Sequence, residues 1–438
     1  MESAIIAGKI TVSRKRGDFL DTLKKHVRNN KILAILAAAL RTASLLCVTG
    51  PLMQTFLTMV GFSAQQAYVH STAVQAANVL TILLFSRFGD RGNILRRTAL
   101  VQIPNGILFL AYLPLCFMRN GSTMAFILLL AVSVLQSVST ALHTVCEYKL
   151  PYFIYHAHEY GTVTAICGIL GSGISFGMSA IITTLDFYFD YVDMMLICFI
   201  ISALFLFLSF LCQWFLRSLI DMDAVQEKKG DKSTHVPLSR VFRHPAFYLL
   251  AAPNLLRGVA YGMTTVLAVI ALNDLGYESW VGATMASVHS IVTLGACLLF
   301  GVVSRFISPR YSVFVGSLTF IAMPLLLIPE SPWLFLVLSS VLMFGRTLVD
   351  YGVPSVLLYA VPVEIAGPYN AFRMILHNGG TMLATLLAAF LPSSVLLPVA
   401  TVFQLASGIF YLALPLLRRA SPAIVRKQGR VVHAESEL

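Results

Sequence analysis

The chain has 438 residues, of which 57% are apolar and 12% are charged, and its formal net charge is +11. Soluble globular proteins carry about 25% charged residues, so one water-soluble core cannot enclose this many apolar side chains. Apolar runs of about 20 residues recur between short polar breaks, and that length crosses a bilayer as a helix, whereas a membrane barrel shows short alternating strands. The composition therefore predicts an all-α membrane protein with many transmembrane helices.

Twelve apolar spans are predicted along the chain, after a basic N-terminal segment, 1–31, and before a tail, 418–438. The polar segment 217–245 separates six spans on each side, and its composition is that of a flexible linker. The sequence therefore predicts two six-helix bundles, 32–216 and 246–417. Within them the spans lie at about 32–60, 66–88, 98–118, 123–146, 160–185, 194–216, 246–273, 280–304, 311–328, 333–360, 368–391 and 394–417.

The basic residues gather at the termini and in alternate loops, which argues against nucleic acid as the partner of this positive chain. The other loops carry mostly acidic residues, such as Asp186 and Glu278. Because basic loops stay on the cytoplasmic side, the linker and both termini are predicted to be cytoplasmic, in a plasma-membrane protein. Trp214, Trp280 and Trp333 fall at predicted span ends, as interfacial anchors do.

The residues that enzymes use for chemistry form no recognisable motif in this sequence. The seven cysteines lie singly in the apolar spans, without the spacing of metal ligands. No phosphate-binding loop, metal cluster or nucleophile–base pair is visible. The sequence therefore predicts neither an enzyme nor a bound cofactor or metal.

The two halves of the chain repeat one another. Three pairs of segments match in the same order and at nearly the same separation: ALRTAS (39–44) with LLRGVA (255–260), ILLFSRFGDR (82–91) with CLLFGVVSRF (297–306), and YKLPYFI (148–154) with YAVPVEI (359–365). Two similar six-helix halves in the same orientation imply a pseudo-two-fold axis along the membrane normal.

The loop between spans two and three, FGDRGNILRR (88–97), carries the most specific sequence pattern. With the repeat, it makes the chain resemble the major facilitator superfamily over essentially its whole length. The family's loop reads G-x-x-x-D-R-x-G-R-R. Here Ser86 stands at the first glycine, the spacing after Gly92 is longer, and the charges are Asp90, Arg91, Arg96 and Arg97.

The resemblance implies that this loop is a cytoplasmic conformational latch, in which Asp90 caps a helix of the other half. A carboxylate at a helix N-terminus contributes about 0.3–1 kcal/mol, which is weak enough to be broken in each transport cycle. The second copy of the loop, 301–310, keeps its first glycine but has lost the acid. The alternative is a plain basic turn that only sets the orientation in the membrane.

Two arginines at equivalent positions of the repeat, Arg41 in span one and Arg257 in span seven, are predicted to lie deep in the membrane. The resemblance implies that these two spans line a central cavity, as in the organophosphate:phosphate antiporters, so the two guanidinium groups could clamp an anionic substrate. Asn254 lies three residues before Arg257 and shares its face. No acid lies at comparable depth in span one or seven. The alternative is that each arginine braces helix packing.

Arg346 and Asp350 are four residues apart in span ten, so an ion pair along one helix face is predicted. The alternative is that Asp350 takes up a proton during transport, with Arg346 as its partner. Histidines in four spans could also relay protons, although packing at helix interfaces is the favoured explanation for each: His70, His143, His289 and His377.

These features predict a secondary active transporter that moves a small organic or inorganic anion by alternating access. The driving partner is a proton or a counter-substrate, and the protein is expected to be a monomer in the bilayer. One alternative is a proton-coupled permease or exporter of neutral or cationic compounds such as sugars or drugs. Another, of a different class, is a transporter-like receptor or lipid-handling protein.

Overall fold

The computed structural model describes residues 26–85, 93–118, 121–147, 150, 154, 160–186, 188–218, 245–304, 306–328, 331–360 and 363–419. Across these residues the chain forms helices and turns, and it forms no strand. Helix is present in each of the twelve predicted spans. Each label α1–α12 below covers one helix or a run of consecutive helical pieces.

The helices before the linker are mostly long and continuous. They are α1 (26–45 and Pro51–Val60), α2 (Ala64–Phe85), α3 (Ile94–Leu100, Gln102–Leu110 and Leu113–Phe117), α4 (Thr123–Glu147), α5 (Tyr160–Leu185) and α6 (Tyr191–Trp214).

Two of the helices after the linker are interrupted. They are α7 (Pro245–Thr264 and Leu267–Val269, then a π-helical turn Ile270–Asp274), α8 (Ser279–Val303), α9 (Pro309–Leu318, Thr319–Ile321 and Ala322–Leu325), α10 (Pro332–Ala360), α11 (Val363–Ala388) and α12 (Ser393–Arg419).

Nine of these elements, counted over the described residues, are long and apolar enough to cross a membrane: α2 to α8, α10 and α12. The other three coincide with predicted spans, but α1 and α9 are broken and α11 carries several polar side chains. Nine such elements in one chain make it a multi-pass integral membrane protein. The count of twelve spans stays a prediction.

Span one, predicted as continuous helix, is interrupted between its two pieces at residues 46–50. Gly50 has φ of 71°, a left-handed conformation that residues with a side chain rarely adopt. Pro51 then occupies the first turn of the next piece, where its missing N–H costs nothing. The Gly-Pro pair therefore explains the break.

The described residues fall into two compact units. Unit 1 comprises the chain up to Ser63 and Ala77–His235, and unit 2 comprises Ala64–Ala76 and Val236–Leu438. The first part of α2 thus groups with unit 2, where the Thr72 hydroxyl donates a hydrogen bond of 3.0 Å to the Thr385 hydroxyl of α11. The domain boundaries read from the sequence, 32–216 and 246–417, stay a prediction.

The core helix of unit 2 is α7. In the most apolar 18-residue stretch of α7, 78% of the residues are buried. The corresponding fraction is 28% to 44% in the other candidate membrane helices of the described chain. Helix α7 runs against α11 with almost no gap, because a Cβ added at Gly258 would collide with the carbonyl oxygen of His377. A Cβ at Gly380 would lie 2.5 Å from the Leu255 carbonyl oxygen. This contact positions the polar residues of α7 beside those of α11.

Candidate functional site

Arg41 in unit 1 has an acid partner. Its Nη1 donates to Oε2 of Glu147 at 2.7 Å, and the two side chains are 12% and 39% exposed. Glu147 is the last residue of α4, one residue past the end of the predicted span. Spans one and seven carry no acid at the depth of the arginines. The carboxylate that neutralises Arg41 comes instead from the end of α4.

The pair belongs to a set of polar residues that we call the unit-1 polar cluster: Arg41, Gln102, His143, Glu147 and Gln213. The fully buried ring of His143 places Nδ1 3.5 Å from Oε2 of Glu147. Its Nε2 lies 3.0 Å from the amide nitrogen of Gln102 and 3.2 Å from that of Gln213. With a neutral imidazole, the charges of the cluster cancel, so it offers an anion no uncompensated cation.

Arg257 in unit 2 differs from Arg41. It is 2% exposed, and its Nε and Nη1 atoms have no hydrogen-bond partner. No carboxylate in the part of the chain that the structure describes pairs with it. Its guanidinium carbon lies 5.3 Å from the ring centroid of Tyr261. Buried donors without partners are rare and costly in proteins. The two free N–H groups of this guanidinium can therefore donate to the hydrogen-bond acceptors of a ligand.

Asn254, one turn before Arg257, is fully buried and is held by tyrosines. The Tyr411 hydroxyl of α12 donates to its Oδ1 at 3.3 Å. Tyr369 of α11 lies within hydrogen-bonding range of the same side chain. Asn254 is therefore placed to orient two hydroxyl groups near Arg257.

Arg346 and Asp350 form the ion pair that their spacing predicts, although the contact is long. Nε of Arg346 lies 3.8 Å from Oδ2 of Asp350, and the side chains are 25% and 43% exposed. Arg346 has two further contacts on α7: Nη1 donates to the Thr264 hydroxyl at 2.8 Å, and the guanidinium lies 4.8 Å from the Tyr261 ring centroid. The guanidinium of Arg346 therefore makes closer contact with the residues of α7 than with the carboxylate of Asp350.

Tyr261 connects these groups and was not identified from the sequence. Its ring is near both Arg257 and Arg346, stacks on Phe320 and meets the edge of His377 at 5.1 Å. Its hydroxyl donates to the backbone carbonyl of Arg346 at 3.0 Å. A tyrosine inside an apolar span carries no distinctive sequence signal, so only the fold reveals this role.

Arg373 of α11 is a second buried arginine of unit 2 and was not among the predicted site residues. It is 8% exposed and lies one turn before His377. It acts electrostatically on Tyr369, His377 and Tyr411, and so does Arg257. A signal was present in the sequence, because a charge inside a predicted membrane span is functional by default.

The latch residues are only partly described. Asp90 and Arg91 lie outside the described residues. Arg96 stacks 3.9 Å over the Trp214 ring of α6, and its Nη1 donates to the Trp214 carbonyl at 3.4 Å. Arg97 follows in the first helical piece of α3. The described contacts of Arg96 stay within unit 1, and the latch stays a prediction.

Groups that could hold a metal are absent from the described residues: no three His, Cys, Asp or Glu side chains come together there. Of the other predicted polar residues, His289 lies 3.3 Å from the Ser339 hydroxyl, an ordinary helix–helix contact.

Three solved transporter structures share this fold. A bacterial homologue of the iron transporter ferroportin, in an outward-facing state, is 14% identical, with a TM-score of 0.63 over 88% of this chain and 98% of that one. A D-xylose–proton symporter is 10% identical, with a TM-score of 0.66 over 88% and 97%. A variant of the nucleoside transporter NupG is 12% identical, with a TM-score of 0.62 over 88% and 99%. Likeness at these identities shows the fold.

No curated protein matches this chain by sequence. The family model of the Major Facilitator Superfamily matches residues 32–385, which is more than half of the chain and takes in every buried arginine discussed above. The predicted fold class and family are confirmed, and the protein is a transporter and not an enzyme. The chain belongs to the Major Facilitator Superfamily.

Proposed function

We propose that this transporter moves a small organic or inorganic anion across the plasma membrane by alternating access. The observation that carries the proposal is the state of Arg257, which is almost fully buried with two unpartnered N–H groups and no described acid beside it. A guanidinium keeps its charge at any physiological pH, so burial cannot neutralise it by loss of a proton. An anion that binds there supplies both the missing acceptors and the missing charge.

Asn254 and Arg41 take different parts in this proposal. Asn254 holds the hydroxyls of Tyr369 and Tyr411 near Arg257, which supports a role in shaping the site. Arg41 is bonded to Glu147, so it contacts substrate only if the anion replaces that carboxylate. Arg257 is therefore the principal anion-binding residue.

The coupling partner is a proton or a counter-substrate. Asp350 is the proposed proton carrier, because its carboxylate is 43% exposed and its contact with Arg346 is long. A carboxylate held loosely by one arginine can exchange that arginine for a proton at modest cost.

The second candidate function is proton-coupled transport of a neutral or cationic solute. Two observations favour it: the exposed carboxylate of Asp350, and a fold shared with a D-xylose–proton symporter. In that case Arg257 would brace unit 2 through Tyr261 and bind no substrate.

A thermal-shift screen of the purified protein separates the two candidates. Panels of carboxylates, phosphates, sugars and organic cations are added, since a ligand that binds only the folded state raises Tm. Anions are expected to raise Tm, and the same anions should be taken up by proteoliposomes. Stabilisation by sugars or cations alone, with no response to any anion, would refute the anion proposal.

The proposed topology has both termini on the cytoplasmic side of the plasma membrane, in a monomer. The excess of Lys and Arg in alternate loops supports it. Cysteines introduced in the tail 418–438 should not react with an impermeant reagent added outside intact cells. They should react once the membrane is permeabilised.

A further inference from the structure

We propose that Arg373 is a second anion-binding residue, and that an oxyanion group of the substrate binds between α7 and α11. The inference rests on the proposed anion transport and deepens it in two ways. It replaces the symmetric pair of arginines, Arg41 and Arg257, with Arg257 and Arg373. It also assigns the anion-binding groups to unit 2 alone.

The contact of α7 with α11 places the two arginines about one helical turn apart along the two helices. The helices run in the same direction, because Leu255 faces Gly380 and Gly262 faces Ala384 further along both helices. The Thr381 hydroxyl of α11 also donates to the Gly258 carbonyl of α7 at 3.0 Å. Residues one turn before this contact therefore lie beside each other.

On α7, the residue just before Gly258 is Arg257, and Asn254 is one turn earlier. On α11, Arg373 lies one turn before His377, whose carbonyl oxygen faces Gly258. A residue one turn earlier again is Tyr369. The register thus places Arg257 level with His377, and Arg373 about one turn earlier, level with Asn254.

Three side chains interact electrostatically with both arginines. Tyr369, His377 and Tyr411 are each within electrostatic range of Arg257 and of Arg373. All three are aromatic and none supplies a negative charge. Two guanidinium groups that share the same neutral neighbours raise each other's electrostatic energy in a medium of low dielectric constant, and an anion between them lowers it.

The donor set indicates which anion fits. A guanidinium presents a planar fork of N–H donors, which matches the two oxygens of a carboxylate or phosphate. The Tyr369 and Tyr411 hydroxyls, oriented by Asn254, can add neutral donors at the edge of the group. The site therefore suits an oxyanion with at least two acceptor oxygens.

Arg346 is not part of this set. It also acts on His377, but its guanidinium is bonded to Thr264 and paired with Asp350. Its guanidinium has a hydroxyl and a carboxylate beside it, although its Nε makes no hydrogen bond, whereas Arg257 has no carboxylate beside it among the described residues.

The test uses the full-length protein and the anions that stabilise the wild type in the thermal-shift screen. Separate arms contain mono- and dicarboxylates, inorganic phosphate, phosphate monoesters and sulfate, so the carboxylate and phosphate sources of the oxyanion are distinguished. Arg373→Gln is expected to lower the affinity for the anion at least tenfold. Arg373→Lys keeps the charge but loses the planar fork of donors, so it should lower the affinity by a smaller factor.

Arg310→Gln is the matched control. Arg310 lies at the start of α9 and contacts the Tyr311 ring, so its loss should leave anion affinity within twofold of the wild type. If Arg373→Gln keeps wild-type affinity while Arg257→Gln loses it, the role of Arg373 is refuted and anion transport stands. If no anion stabilises the wild type, anion transport itself is refuted. If Arg373→Gln does not accumulate, unchanged affinity in Arg373→Lys counts against the inference.

Discussion

Arg41 and Arg257 occupy equivalent positions in the two halves of the chain, yet their surroundings are opposite. Arg41 binds Glu147 at 2.7 Å, whereas Arg257 has two buried N–H groups without partners. The repeat that aligns YKLPYFI with YAVPVEI puts Leu358 at the position of Glu147. A repeat in sequence therefore preserves the position of a charge without preserving its partner, and the partner decides what the charge can bind.

The helix contacts beside these arginines differ as well. Thr42, the residue after Arg41, corresponds to Gly258 in the second half. In unit 1 a Cβ at Gly171 of α5 would lie 3.1 Å from the Thr42 side chain, while in unit 2 a Cβ at Gly258 would collide with the α11 backbone. The α7–α11 contact is therefore tighter than the α1–α5 contact.

The largest difference between the halves is expected in anion affinity. Arg257→Gln should lower the affinity for the transported anion at least ~100-fold. Two charge-assisted hydrogen bonds are lost, each contributing about 1.5–3 kcal/mol. Arg257→Lys should lower the affinity less, since the charge stays. Arg41→Gln should lower the anion affinity by less than about tenfold. Binding isotherms of the three variants measure the comparison, and equal losses at both arginines would restore the symmetric clamp.

The next effect is on stability in unit 1. Glu147→Gln leaves the guanidinium of Arg41 without its acid, so we expect a loss of about 1–3 kcal/mol in unfolding free energy, less than for a fully buried pair. Arg41→Gln combined with Glu147→Gln should recover part of it. Thermal denaturation in detergent measures both proteins. An unchanged Tm in Glu147→Gln would show that the pair does not stabilise unit 1.

The ion pair of α10 should contribute less than the pair in unit 1. The 3.8 Å contact of Arg346 with Asp350 is long and partly exposed, so a double-mutant cycle of Arg346→Gln and Asp350→Asn should give a coupling energy of about 1 kcal/mol or less. The same Asp350→Asn variant tests coupling: it should abolish proton-driven uptake. Uptake that still responds to a pH gradient would remove Asp350 as the proton carrier.

The smallest effect concerns the loop at 88–97, whose acid has no counterpart in the second copy. Asp90→Asn should slow transport by about twofold to fivefold, which corresponds to the 0.3–1 kcal/mol of a helix-capping carboxylate. Anion affinity should stay unchanged because the proposed latch sets the conformational equilibrium and does not contact the substrate. Initial uptake rates and equilibrium binding, measured together, separate the two. Wild-type rates would refute the latch.

Local sequence patterns predicted what depends on neighbours along the chain. Apolar runs marked the helices, four-residue spacing predicted the contact of Arg346 with Asp350, and the repeat related Arg41 to Arg257. The partner of Arg41 could not be predicted this way, because Glu147 lies 106 residues away and meets it only through packing of α4 on α1. The proposed pairing of Arg257 with Arg373 likewise depends on glycines that let two helices touch.

The close approach at Gly258 has a consequence for recognising other transporters of the same specificity. The arrangement of Arg257 and Arg373 depends on atoms that are missing from the facing helix surface, and any larger residue there would separate α7 from α11 while both charges remained. A search pattern built on arginines alone would accept such proteins. The informative signature joins the two arginines to the glycines at 258 and 380, so that it selects for helix spacing as well as for charge.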